Sequence, residues 1–432
     1  MSGKPNKGPP KDVEKKPKLS KAERRALQEA QRATKAAGGG KGGGGGTAVG
    51  PGGKNTTVPG TGDAVATTSP VGLSNDVQEF SHLPPYREKS PADCGLTLSA
   101  GAPSGPSPAL HPSVLALGLQ YADGSVRGAN ARCKAMMGVF KDVIRDFEPS
   151  PGKILSQDLD HTIKSAFQHW TTKCRTHSVS MGSAFSFLKS LVAGLSRDIT
   201  EKEAKEELTE QIDFYLHERL DFAGKVIASH AGKKIRNGDV ILTYGRSSAV
   251  ETLLRRARDD GKNFRVVVVD GRPLLEGKVF IRALAGHGIP CTYILLSGLS
   301  YVMREVSIVF LGAAALMSNG SVLGRAGTAT VALAARASNV PVLFGCETYK
   351  ISNRIQLESI TGNELGNPDD VKDTGAGTSA LDDWKDAPNL KLLNLLYDLT
   401  PSEFVSGIVT EMGILPPSSV AVLIREMNPQ DQ

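Results

Sequence analysis

Apolar positions recur at three- and four-residue spacing from His111 to about Gly232. They include Val114, Leu115, Leu117 and Leu119, then Met136, Met137, Phe140 and Ile144, then Phe185, Leu188, Leu191 and Leu195. That period lays an apolar stripe along each of several amphipathic helices and predicts an all-helical domain over residues 109–235. Within it a helix is expected from Thr200 to Ser229, opening with Glu201, Glu203, Glu206 and Glu207, whose carboxylates suit the positive end of its dipole. Its apolar face would be Leu208, Ile212, Tyr215, Leu216 and Leu220.

After Asn237-Gly238 the period changes. Short β-branched runs alternate with helix-like segments: Val240-Ile241-Leu242, Val266–Val269, Thr292–Leu296, Val306–Phe310 and Val340–Phe344. Each run is apolar almost throughout, which fits strands buried on both faces and hence a mostly parallel sheet covered by helices. A Rossmann-like α/β domain is expected over residues 236–432, its open sheet running from about 238 to 425. The segment Gly362 to Lys385, rich in Gly, Asn and Asp, reads as a long loop before a helix carrying Leu390, Leu392, Leu393, Leu395 and Leu396. Residues 1–108 follow neither period. Lys, Gly, Pro, Ser and Thr dominate them, with a glycine run from Gly42 to Gly46, and so little apolar surface does not offset the entropy of ordering. They are expected to form a disordered basic tail.

Charge sharpens this division. Residues 1–60 hold 13 Lys and Arg against 4 Asp and Glu, out of 51 and 45 in the whole chain, so the rest is slightly acidic. The net charge of +6 therefore belongs to the tail and gives no support to a nucleic-acid groove in the folded part. Inside the tail, Ser20 to Ala37 is a helix-prone basic stretch with Ser20 as cap and Glu23 at the capping-box position. A solvated transient helix and a contact with RNA, the ribosome or an acidic partner both stay open. Cys94, Cys133, Cys174, Cys291 and Cys346 stand far apart with no CxxC, against a zinc site or a disulfide framework and in favour of a reducing compartment. No apolar run reaches the length of a membrane span, and the first thirty residues lack an apolar signal core, so a cytosolic protein is expected.

In a Rossmann-like sheet, ligands sit beyond the carboxyl ends of the strands. Four such places stand out. Tyr244-Gly245-Arg246-Ser247-Ser248 leads into a helix whose free N–H groups suit an anion, although capping by Ser247 or Ser248 is the simpler reading. Asp270-Gly271-Arg272 stands where a dinucleotide-binding protein places its ribose-binding acid, but the required GxGxxG is missing, and a local Asp270–Arg272 salt bridge is expected. Gly312 to Gly320 ends in Asn319-Gly320, a turn signal. Cys346-Glu347-Thr348-Tyr349-Lys350 reads as a core thiol followed by a surface Glu–Lys pair. None of the four brings a nucleophile beside a base, and His287 falls between glycines in an apparent turn, so catalysis has little support.

Several strings resemble the regulatory alpha/beta/delta family of translation initiation factor 2B: Asn319-Gly320-Ser321-Val322, Arg325-Ala326-Gly327-Thr328, Val340-Pro341-Val342-Leu343, Cys346 to Lys350 and Asn363-Glu364-Leu365. Leu110-His111-Pro112, Gly118-Leu119-Gln120-Tyr121, Gly128 to Cys133 and the basic Lys21 to Arg25 stretch add to the resemblance, which covers about residues 110–428. It implies a non-catalytic regulatory subunit of the guanine nucleotide exchange factor for translation initiation factor 2, with no cofactor. Its partners would be the alpha, beta, gamma and epsilon subunits of the exchange factor and initiation factor 2, above all the latter's alpha subunit. The family would place Glu218 and Phe222 at the contact with that alpha subunit, where its phosphorylation is sensed. A solvated Glu and a core Phe are the plain alternative. His111 and Pro112 would lie where two half-assemblies join, the alternative being helix initiation by Pro112. The family shares ancestry with sugar-phosphate isomerases, which need a cysteine after the first strand and an aspartate before Asn-Gly. Here those positions are Gly245 and Ala314, with Ala315 in place of an arginine. A vestigial pocket near Gly245, Arg246, Ser247, Ala314 and Asn319 that still holds a phosphate or sugar phosphate remains the other reading.

Overall fold

The computed structural model describes residues 83, 86–95, 110–196, 198–360, 362–372, 379–387 and 389–427. The helix-prone Ser20 to Ala37 stretch and the glycine run lie outside the described residues. Part of the expected disordered tail is corrected. Cys94 is buried in the helical core, and the Lys89 ammonium donates to the Cys174 carbonyl at 2.5 Å. The buried Cys94 and Leu83 and the Lys89 contact hold this segment down, which the polar composition around it hides.

The helical domain comprises α1 (Pro112–Ala122), α2 (Ala129–Arg145), α3 (Leu155–His169), α4 (Val179–Gly194) and α5 (Glu201–Tyr215). Local chemistry sets their starts. Pro112 occupies the first position of α1, and His111 Nδ1 accepts from the Ser113 N–H at 3.2 Å. Thr200 and Glu203 form a reciprocal capping box at α5. The core centres on Trp170, which makes edge contacts with Tyr121 and Phe140 at 6.1 and 5.2 Å and donates to the Val114 carbonyl. Each large apolar side chain fully buried here stabilises the domain by about 1.5–3 kcal/mol relative to exposure.

The helix expected from Thr200 to Ser229 forms with a change of winding. After α5 the chain runs as a π-helix over Leu216–Phe222 and then as α6 (Ala223–Gly232). It spans two cores. Leu208, Ile212, Tyr215 and Leu220 face the helical domain, whereas Ile227, Ala228 and Ala231 face the sheet. The expected domain boundary at residue 235 thus falls later than the change of core, because a continuous helix carries the chain across.

The α/β part contains β1 (Val240–Tyr244), α7 (Ser248–Asp259), β2 (Arg265–Asp270), α8 (Gly277–Gly286), β3 (Cys291–Leu295), β4 (Ile308–Gly312), β5 (Ala315–Met317) and β6 (Val322–Arg325). It continues with α9 (Thr328–Ala337), β7 (Val342–Gly345), β8 (Ile351–Ser352), β9 (Tyr397–Thr400), β10 (Gly407–Thr410), β11 (Gly413–Leu415) and α10 (Val420–Met427). The main sheet has the order β11-β10-β7-β4-β1-β2-β3 and is parallel except for the β10–β11 pair. Each expected apolar run supplies one of its parallel strands. Its order reverses between β1 and β4, the switch point of a Rossmann-like fold. A second sheet, β8-β5-β6-β9, was not foreseen. Asn319-Gly320 turns β5 into β6, with Gly320 at φ 80°.

The helix expected around Leu390 to Leu396 is absent. Residues 391–396 run extended, with a bridge between Leu365 and Leu395. The Leu396 N–H donates to the Glu364 carbonyl at 3.0 Å and its carbonyl accepts from Ala326 at 3.2 Å, so backbone groups a helix would use internally are engaged by neighbouring segments.

Candidate functional site

A cleft of about 540 Å³ opens beyond the carboxyl ends of β1 and β4, between the sheet and the start of α2. Arg246, Ser247 and Ala314 line it, as do Arg127, Arg325, Lys350, Tyr244 and Tyr397. The expected pocket is thus assembled only in part. Gly245, at φ 57°, lines a separate small cavity with Asp270. Asn319 sits in the β5–β6 turn, its amide donating to the Gln356 carbonyl at 2.8 Å and its oxygen accepting from Ser321. Ser247 caps α7 by accepting from the Val250 N–H. It also explains Gly312, where a Cβ would lie 2.2 Å from the Ser247 hydroxyl.

Charges around the cleft are unevenly satisfied. Arg325 forks onto Glu276 with contacts of 3.0 and 2.9 Å. Arg246 is half-exposed and lies 3.5 Å from Glu251. Asp270 accepts from the Tyr293 hydroxyl at 2.9 Å and from the Gly271 N–H, and burial raises its carboxyl above the usual range. Asp398 accepts from the Gly327 and Ala329 N–H groups at the start of α9, while burial pushes its carboxyl up to about 6.

The expected surface Glu–Lys pair is corrected. Glu347 and Lys350 are 1% and 6% exposed, with Oε2 and Nζ 2.6 Å apart in an ion contact outside hydrogen-bonding alignment. Asn130, from α2, donates to Glu347 Oε1 at 2.7 Å and accepts from the Tyr349 hydroxyl at 2.7 Å. The Lys350 ammonium also donates to the Ala313 carbonyl, on the cleft wall. Cys346 is a buried thiol, as expected, and all five cysteines are free.

Phe222 does not lie in the core. It is 49% exposed, and Glu218, one turn before it, is partly exposed. Phe214, one turn before Glu218, is 62% exposed and falls outside the expected apolar face Leu208, Ile212, Tyr215, Leu216 and Leu220. His111 Nε2 lies 3.1 Å from Asp146 Oδ2, so this residue closes the α1 start onto the end of α2. Among the described residues, no group of three or more His, Cys, Asp or Glu is placed to hold a metal ion, and no helix is long and apolar enough to cross a membrane.

A helical domain joined to a Rossmann-ordered sheet, with a cation-lined cleft at the switch point, defines a two-domain α/β scaffold. The chain belongs to the initiation factor 2 subunit family, whose model matches residues 125–417. It is 41% identical over 357 residues to translation initiation factor eIF2B subunit delta of Dictyostelium discoideum, covering 82% of this chain and 57% of that protein. It is 45% identical over 322 residues to the protein of that name from Schizosaccharomyces pombe, covering 73% and 69%. The crystal structure of the tetrameric eIF2B-beta2-delta2 complex from C. thermophilum matches with a TM-score of 0.62 and 36% identity, over 70% of this chain and 92% of that one. A more distant relative, ribose 1,5-bisphosphate isomerase of Pyrococcus furiosus, is 33% identical over 200 residues, 46% of this chain and 60% of that enzyme.

Proposed function

We propose that the chain is a regulatory subunit, of delta type, in the guanine nucleotide exchange factor for translation initiation factor 2, and that it acts by binding rather than by chemistry. The observation that carries this reading is the 45% identity to a delta subunit over 322 residues. What supports it is that, at the two positions the resemblance matches to the isomerases' acid–base groups, Ala314 on the cleft wall and Gly245 in the neighbouring cavity can neither donate nor accept a proton. Its partners are then the alpha, beta, gamma and epsilon subunits of the exchange factor, with beta meeting it through the α/β domains. Ile355 and Leu357, three and five residues after β8 and 71% and 82% exposed, are apolar side chains that such a contact would cover. Glu218 and Phe222 contact the alpha subunit of initiation factor 2 and take part in sensing its phosphorylation. His111 and Pro112 help to join two half-assemblies, the basic tail is a candidate RNA contact, and the protein works in the cytoplasm.

A second reading concerns the cleft alone. Arg127 and Arg246 line it together with the Ser247 hydroxyl, and this set suits a phosphate or sugar phosphate without turnover. Purification of the tagged chain from a eukaryotic cytosol tests the main reading. Recovery of the four other subunits is expected. A lone homo-oligomer would overturn it and return the isomerase ancestry to first place.

A further inference from the structure

The helix that exposes Phe214, Glu218 and Phe222 is held from behind by a residue of the α/β domain. Tyr349 follows β7, yet its ring is only 5% exposed and belongs to the helical core. It meets the Tyr215 ring edge-on, 6.4 Å between centroids and 72° between planes. Tyr215 in turn stacks on Phe187 at 4.5 Å. The Tyr349 hydroxyl donates to Asn130, which donates to Glu347, and the Thr348 N–H next to it donates to both carboxylate oxygens of Glu411. Tyr349 is therefore anchored through its hydroxyl to Asn130, and its backbone neighbour Thr348 is anchored to Glu411.

The helix leaves α geometry at the residue after Tyr215. Such π segments lie frequently at functional sites. At 3.6 residues per turn, eight residues overshoot two full turns. The wider i→i+5 winding between Leu216 and Phe222 takes up that overshoot and brings Phe222 back towards the line of Phe214. On this winding the two exposed phenyl rings, each four residues from Glu218, come nearer to one face than eight purely α-helical residues would bring them.

We propose that Tyr349, locked by Asn130, is the positioning residue that fixes this winding at Tyr215 and so aligns Phe214 with Phe222 as one surface. The proposal rests on the reading that this surface meets the alpha subunit of initiation factor 2, and it adds Phe214 to the contact.

The test is Tyr349→Phe in the purified, assembled exchange factor, which removes one hydroxyl and keeps the ring. Hydrogen exchange of the amides of residues 214–222 is expected to rise several-fold, with β1 and β2 unchanged. Inhibition by the phosphorylated factor is expected to weaken in the same direction as in Phe222→Ala. Unchanged exchange at 214–222 would overturn the positioning role. So would faster exchange with inhibition intact, provided that Phe222→Ala weakens it. Should Phe222→Ala leave inhibition intact, the contact reading fails, while hydrogen exchange still decides what Tyr349 does. If Tyr349→Phe does not assemble, Tyr215→Leu opens the same ring contact from the helix side and is judged by the same amides.

Discussion

Replacing Lys350 by methionine is expected to destabilise the chain by about 3–5 kcal/mol, because it leaves a buried carboxylate without its cation. Burial by itself pushes the Glu347 carboxyl up, but Lys350 and the Asn130 amide outweigh it and hold the group below the usual carboxylate range. A carboxyl that titrates lower in the folded chain than in the unfolded one contributes stability above the ordinary range and loses it as pH falls through its depressed value. In Lys350→Met the slope should reverse. The unpaired carboxyl then titrates higher when folded, and stability increases towards acid. Denaturant melts at neutral and mildly acidic pH check both statements. A loss under about 1 kcal/mol at neutral pH, the range of an exposed pair, would contradict the buried ion contact.

Gly327→Ala is expected to be damaging for a different reason, by about 3 kcal/mol or more. Gly327 holds φ 106°, and a Cβ there would stand 2.2 Å from the Tyr244 hydroxyl oxygen. Tyr244 is in no position to retreat cheaply, since its hydroxyl donates to the Ala326 carbonyl at 2.5 Å and a Cβ at Gly271 would also strike it. The cleft wall and the start of α9 should loosen together. Gly286→Ala is the control, because a Cβ at the end of α8 meets nothing within 4 Å. It should be neutral or slightly stabilising. Equal melting points for the two variants would refute the steric argument.

These effects mark where the sequence was legible. The parallel strands could be read because Val266–Val269 and Val340–Phe344 are apolar regardless of register, as only doubly covered strands are. The long helix after Thr200 was legible from its apolar spacing and its capping box. Its π winding was not, since Tyr215 and Leu220 suit either geometry and the choice depends on Tyr349 from another domain. Leu390 to Leu396 misled, because leucines at mixed spacing fit a helix until Glu364 and Ala326 take the backbone groups. Glu347 and Lys350 were read as a surface pair because charge usually means solvent. Glu347 takes its amide partner from Asn130, 217 positions away in the chain. The same distance problem hid the Arg325–Glu276 fork and misplaced Asn319 beside the cleft, when its side chain belongs to a turn.

Regulation of nucleotide exchange by binding shows in the rate of nucleotide release from initiation factor 2 by the assembled exchange factor, with and without this chain, against plain and phosphorylated factor. Assemblies containing the chain are expected to be inhibited by the phosphorylated factor, and those lacking it to lose that inhibition. Identical inhibition with and without the chain would contradict that expectation.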